Sequence, residues 1–417
     1  KGMGRYFSDV VEKAIEDLYY CYDNDRAKQA ADRLAVAVEE HEDKDACYFL
    51  ACCYLGTHYN WTYHPFEEDE EAAYRLLGKG ISLGSAAAVL GALRMNMLTP
   101  EYQELMTFSS VKEAWEVIYE KAQDGCQVCQ YMIGNTYYYL DVIEIQDKRE
   151  SQFDSEEAWD RWRQEQMEKS VPWFEKAFMG GMGLAGRNLC DYYKKGRGVL
   201  IPSDPDKAME VIRQGADRGY PDWMYALGSR LFFDQDRKDE GFSWALRAAQ
   251  QGYLLALDIV GDGYRMGDVA ERNFTYALEC YEKNVAYGGD AYAYDRAGEM
   301  YFLGQGTPQD YAKAVEYMEQ AYALRDEESG DLDKLGLCYL MGYGCDQNVE
   351  RGKQFLEQGE DSWYKNYGLG MMYTQGMGVA KDIEKGIGYL RAAGDFEPAK
   401  KELSRYKKGF FGGWKRI

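Results

Sequence analysis

The chain has 417 residues, 46% of them hydrophobic and 15% aromatic, which is enough to bury a large core and excludes wholesale disorder. Acidic residues outnumber basic ones 71 to 49, and the net charge of −22 counts against binding a nucleic-acid backbone or inserting into an anionic membrane. No apolar run nears the roughly 18 residues that span a bilayer, and the first residues show no apolar leader, which leaves open a leader removed before residue 1. Ten cysteines are too few for a disulfide scaffold, so the expected location is the cytoplasm, with reduced thiols.

Residues 1–45 read as a diverged N-terminal helical hairpin. From there a frame recurs along the chain. A small residue follows an apolar one, Tyr often stands three positions later, and Gly-x-Gly often closes the unit. The copies begin at Leu50-Ala51 (Tyr54), Leu90-Gly91, Ile133-Gly134 (Tyr137), Leu189-Cys190 (Tyr193, Gly196, Gly198) and Leu227-Gly228. They continue at Val260-Gly261 (Tyr264, Gly267), Ala297-Gly298 (Tyr301, Gly304, Gly306), Leu335-Gly336 (Tyr339, Gly342, Gly344) and Leu369-Gly370 (Tyr373, Gly376, Gly378). These nine small anchors lie 33 to 56 residues apart, a period that marks a stack of repeats and not a set of phosphate loops.

The first copy carries the loop "THYNWTYHPFEEDEE". The second lacks Gly-x-Gly and has Arg94 in place of Tyr. The third holds an insertion over residues 141–170, in which Asp154 or Ser155 starts one helix and Ser170, before Pro172, starts the next. Trp159, Trp162 and Met167 give the inserted helix a partial apolar stripe that packs on the repeats or receives a partner.

Each copy has a second half, as in Asp382…Lys385-Gly386…Tyr389-Leu390, Asp310…Lys313-Ala314…Tyr317 and Asp206-Lys207-Ala208. Apolar residues three and four apart predict amphipathic helices in both halves. Gly-x-Gly ends the first helix in a left-handed turn, and the Asp caps the second or sits in its first turn. Glycine inside a helix costs roughly 1 kcal/mol against Ala, so the anchor predicts a helix crossing too tight for a side chain.

The pattern resembles the Sel-one-like repeat, a relative of the tetratricopeptide repeat. Ala185…Cys190…Tyr193…Gly196-x-Gly198-Val199 and Leu369-Gly370…Gly378-Val379…Asp382…Lys385 match it best. The resemblance implies an all-α, right-handed superhelix of about nine hairpins over residues 46–398, with residues 399–417 as a C-terminal helix and tail. It implies a mostly bacterial class of protein-binding adaptors without a common enzymatic activity.

Chemistry-bearing constellations are sparse. His41, His58 and His64 lie near Cys47, Cys52 and Cys53 without ligand spacing, and Cys126-x-x-Cys129 lacks a second pair, so no metal or cofactor is expected. No nucleophile is paired with a well-placed His, which argues against an enzyme. An interaction site belongs on the groove formed by the first helices, at positions −3, +1 and +4 from each anchor. Those positions hold Tyr48, Leu55, Tyr131, Tyr138, Tyr225 and Phe232 early, then Asp258, Asp262, Asp295, Glu299 and Asp333, with Arg265 and Phe302 among them. A groove that is aromatic first and acidic later suits a basic or aromatic segment of another protein.

One such segment is the chain's own end. Residues 400–417 hold seven Lys/Arg and one Glu, leaving −28 on the rest. Lys407, Lys408, Phe410, Phe411 and Trp414 either cap the last hairpin or dock in a groove, in the same copy or in a second one. The overall expectation is a non-enzymatic scaffold; a secreted or envelope-associated repeat protein contacting host or glycan ligands is the alternative.

Overall fold

A computed structural model describes residues 6–56, 66–196, 202–326, 329–409 and 412–417. His58, His64, Gly198, Val199, Phe410 and Phe411 lie outside the described residues. The chain divides into two compact units, one ending at Ala256 and the other beginning at Leu257.

In the first unit a lead-in helix, Asp9–Ile15, continues as a π-helical turn and pairs with Asn24–Glu40. Five hairpins follow: Lys44–Tyr54 with Glu70–Ser82, Ala86–Arg94 with Val111–Gln123, Gln127–Tyr138 with Ser170–Met179, Ala185–Lys195 with Pro205–Asp217, and Pro221–Phe232 with Lys238–Gln250. The second unit holds four: Ala256–Met266, which begins at the boundary, with Phe274–Ala286, then Ala291–Leu303 with Tyr311–Leu324, Leu332–Met341 with Val349–Gln358, and Trp363–Gln375 with Ile383–Ala392. Within each unit, second helices pack on the first helix of the next hairpin, as a solenoid requires.

The glycine anchors lie where the helices of their hairpin cross, except Gly91, which makes room for Tyr48 of the preceding hairpin. A Cβ on Gly336 would stand 2.8 Å from the Leu356 backbone nitrogen and 3.0 Å from the Gly352 carbonyl oxygen. On Gly370 it would meet Leu390 Cγ at 2.6 Å, and on Gly134 the Phe174 ring at 2.6 Å. The crossing is therefore closed by the absence of a side chain, as the repeat pattern predicts.

The turn chemistry follows the sequence as well. Gly342 ends its helix at φ 72° in the left-handed region, and Gly344 also has positive φ, 70°. A Cβ on Gly344 would come within 2.2 Å of the Tyr311 backbone, so its bareness lets the turn rest on the preceding hairpin. Asp310 and Asp382 cap the second helices by accepting the Lys313 and Lys385 amides at 3.0 and 2.9 Å. Asn273 and Asn348 play the same part in their hairpins, whereas Asp204, not Asp206, caps the helix of the fourth.

In the seventh and eighth hairpins the tyrosine three residues after the anchor reaches a carboxylate of the preceding repeat, whereas Tyr373 accepts from Lys385 of its own hairpin. Tyr301 Oη donates to Glu282 at 2.5 Å, and Lys313 Nζ donates to the same carboxylate at 2.8 Å. One repeat later Tyr339 and Arg351 both donate to Glu319, at 2.9 and 2.7 Å.

The insertion forms the helix Glu156–Glu168, capped by Ser155 and packed on the third hairpin, with Trp159 and Trp162 stacked 5.3 Å apart. The second hairpin adds a short helix, Pro100–Glu104, that the repeat pattern did not foretell. The one departure from all-α structure among the described residues is at the end. After the helix Glu397–Leu403, strand β1 (Tyr406–Lys408) pairs antiparallel with β2 (Trp414–Arg416).

A paired substitution tests the crossing. Gly336→Ala should destabilise by about 1–3 kcal/mol despite the better helix propensity of Ala, because the neighbouring backbone must move. Gly388→Ala, inside a helix with nothing within 4 Å, should stabilise by about 0.5–1 kcal/mol. Urea unfolding of both variants checks the opposite signs.

Candidate functional site

In the first unit, residues of three successive first helices, together with Leu77 of the first hairpin's second helix, enclose a narrow, mostly apolar cleft. Tyr48, Cys52 and Leu55 come from the first hairpin, Leu90 and Met95 from the second, and Met132 and Asn135 from the third. Leu55 and Met95 are half-exposed, so the cleft opens to solvent. The rim is charged. Arg94, standing where the frame elsewhere has Tyr, donates to Asp141 at 3.1 Å and lies 3.8 Å over the exposed Tyr139 ring. Burial raises the Asp141 carboxyl to about 6 against the pull of Arg94.

The remaining aromatic positions are not open. Tyr131 and Tyr138 are buried against Phe174, with ring centroids 6.0 and 5.8 Å away, and their hydroxyls donate to Asn188 and Asp191 of the next hairpin. Tyr225 packs on Tyr253. Phe232 is buried beneath Lys238, and its neighbour Phe233 is the exposed ring. The expected outward face is thus largely the contact between consecutive first helices, which a single-helix projection does not show.

The acidic positions of the second unit are likewise buried and paired. Asp262 accepts from Tyr281 at 2.5 Å and Tyr292 at 2.6 Å, with Arg265 at 3.6 Å. Asp295 pairs with Arg325, and Asp333 accepts from Ser362 at 2.6 Å. Glu299 contacts Arg296 at 2.7 Å and Lys334 at 3.3 Å. Burial works against its charge, yet the two cations hold its carboxyl below the usual range. The expectation of carboxylates standing free in a groove is corrected here: Arg265, Arg296, Arg325 and Lys334 neutralise them inside the packing. Arg296 and Lys334 directly follow Asp295 and Asp333 in sequence, a recurring acid–base dipeptide that would have signalled internal pairing.

Asp258 accepts from Asn284 at 2.7 Å, and burial, then Asp290, raises its carboxyl to about 8. Asp331, absent from the sequence-based set, is raised to about 6 by burial.

Elsewhere, Cys126 and Cys129 are buried at the start of the third hairpin, their thiols hydrogen-bonded to each other. That bond lowers the Cys126 thiol, while burial raises Cys129. His41 is exposed at the end of a helix. Among the described residues no group of three or more His, Cys, Asp or Glu is placed to hold a metal ion, and no helix is long and apolar enough to cross a membrane. In the tail, Lys407 and Lys408 are exposed and Trp414 lies over the Arg391 guanidinium at 4.9 Å.

The Sel1 repeat family profile matches residues 44–57, 185–220, 222–253, 255–283, 291–326, 332–361 and 366–395. The chain is a Sel1-repeat protein. The second and third hairpins lie outside the matched stretches, where Arg94 and the insertion break the pattern, yet they fold as the other repeats do. Among curated relatives, the chain is 30% identical over 104 residues to Protein sel-1 homolog 2 of Rattus norvegicus, covering 24% of this chain and 15% of that one. It is 35% identical over 88 residues to the ERAD-associated E3 ubiquitin-protein ligase component HRD3B of Arabidopsis thaliana, covering 21% and 14%. It is 42% identical over 59 residues to the chitin synthase regulator SKT5 of Saccharomyces cerevisiae, covering 14% and 8%. The matches thus span 8% to 15% of these relatives.

Two solved structures are similar. The Sel1 repeat protein from Oxalobacter formigenes is 21% identical, with coverage of 79% of this chain and 89% of that one and a TM-score of 0.43. The protective antigen c5321 of uropathogenic Escherichia coli, described as displaying an SLR fold, is 20% identical, with coverage of 92% and 83% and a TM-score of 0.46.

The buried Asp258 generates a pH prediction. Its carboxyl binds a proton more tightly folded, at about 8, than unfolded, at 3.8. Its contribution to stability is therefore fully present below about pH 4 and is lost as pH rises toward 8. Asp258→Asn keeps the neutral form at every pH. The variant should match the parent below about pH 4 and melt at least about 2 °C higher at pH 9, as read from thermal scans.

Proposed function

We propose that this Sel1-repeat protein is a non-enzymatic protein-interaction scaffold whose first unit holds a partner segment in the cleft of hairpins one to three. The observation that carries the reading is the cleft itself: residues of three consecutive repeats leave an apolar opening where later repeats close theirs with paired polar groups. Its mostly apolar lining suits an aliphatic or aromatic anchor, the kind of side chain that dominates binding energy in desolvated pockets. The net charge of −22 favours a basic partner and speeds its approach. The occupant is thus a segment with an aromatic or aliphatic anchor flanked by Lys or Arg.

The named relatives include a ligase component and a regulator of another enzyme, which agrees with a role in assembly over one in catalysis. All ten cysteines are free thiols and eight are buried, which suits a reducing compartment such as the cytoplasm.

Met95→Arg places a charge in the cleft at a half-exposed position. Affinity capture from the native host, repeated with this variant, should recover at least about tenfold less of the basic partner while the melting temperature stays unchanged. Equal recovery would remove the cleft as the site.

A further inference from the structure

We propose that the last hairpin and the basic ribbon after it form a self-complementary surface through which two copies of this chain pair. The inference is independent of the cleft, because every group it uses lies in the second unit.

The ribbon is an unsatisfied charge. Lys407 stands directly opposite Lys415, and Lys408 and Arg416 extend the same small sheet. All four are exposed, and none has an ion-pair partner among the described residues. Like charges facing across a strand pair are destabilising, so this arrangement is best relieved by an incoming anion. The ribbon is held by its base: Tyr406 is buried, the Ile417 amide donates to the Arg405 carbonyl at 2.8 Å, and Trp414 covers Arg391.

The complement lies where the eighth and last hairpins meet. A cavity of about 410 Å³ is lined by Asp333, Lys334, Asp361, Ser362, Trp363, Tyr364, Asn366 and Ala392. Lys334 pairs with Asp333 at 3.7 Å, which leaves Asp361, with Glu360 beside it, as the carboxylate open to an incoming cation. Trp363 is 57% exposed, and Glu360 and Asp361 beside it face solvent. An open indole face edged by carboxylates takes a Lys or Arg side chain by cation–π and ionic attraction together. No described ribbon residue lines the cavity of its own chain.

Geometry favours a second copy as the source of the cation. Ala392 lines the cavity and Arg391, the preceding residue, supports Trp414, so pocket and ribbon flank one helix end. A two-fold axis at that end offers each ribbon to the other copy's pocket, twice, and closes as an isologous pair.

Sedimentation velocity of the full chain, at concentrations up to about 100 μM, reads the result. A species of twice the 47.9 kDa chain mass is expected. Trp363→Ala and, separately, Lys407→Glu with Lys415→Glu should each weaken it at least about tenfold without lowering the melting temperature. Adding Asp361→Lys to the double charge reversal should restore pairing, a rescue that a merely structural role would not give. Met95→Arg, in the other unit, should leave the pair intact, so the two proposals fail separately. A monomer throughout, or a dimer indifferent to both sets of changes, overturns the inference. So does a ribbon that binds an RNA oligonucleotide or phosphatidylserine vesicles while the chain remains monomeric.

Discussion

Everything in this fold depends on how closely the two helices of a hairpin approach each other. In the eighth hairpin, Gly336 and Gly352 face each other across the crossing, so backbone meets backbone. Each glycine costs roughly 1 kcal/mol of helix propensity relative to Ala. Contact between main chains and the neighbouring Leu340 and Leu356 offsets that cost through close packing, and both leucines are fully buried. Where the anchor is opposite an aromatic ring, as Gly134 is with Phe174, the missing Cβ makes room for the ring instead. The crossing fixes which face of the first helix is left to meet its neighbours, and so determines what any groove can be made of.

That dependence explains what could be read from the sequence. The anchor, the glycine turn and the Asp cap are local requirements, each satisfied within one hairpin, so their spacing reveals the architecture directly. Positions such as Tyr131, Tyr138, Asp262 and Asp295 were legible only as lying away from their own hairpin's core. Helical periodicity gives a direction from one axis and says nothing of what the next helix brings to that side. The tyrosines meet Asn188 and Asp191 of the next first helix, whereas Asp295 meets Arg325 at the end of its own hairpin's second helix. The ribbon was missed for a related reason: each strand has three residues, too few to display an alternation against a long helical background.

The two units spend their inner faces differently. In the first, aromatic and aliphatic residues meet imperfectly and leave a cleft, with Arg94 breaking the tyrosine frame at its rim. In the second, Asp, Glu, Arg and Lys pair within a first helix, with the next first helix or, for Arg325, from the end of a second helix. Burying such charges is expensive, the more so because Arg265 Nε, Arg296 Nε and Asp331 Oδ2 are buried without a hydrogen-bond partner, so the network contributes more to a unique arrangement than to net stability. Asp258 illustrates the cost, since burial and Asp290 push it toward the neutral form.

The linkage between repeats follows the same division between energy and geometry. Glu282 is shared by Tyr301 and Lys313 of the next repeat, and Glu319 by Tyr339 and Arg351. The ion-pairing side chains are about one-quarter to two-fifths exposed, so water and salt screen them and each pair contributes little free energy. Their value lies in direction. A carboxylate from one second helix that must satisfy a hydroxyl and a cation from the next hairpin at once permits a narrow range of rotation between the two. Apolar packing sets the approach and a range of angles, and the three-way polar contact made at the same positions in these two steps narrows that range. The glycine crossing thus builds the hairpin and the tyrosine clamp narrows the step to the next one.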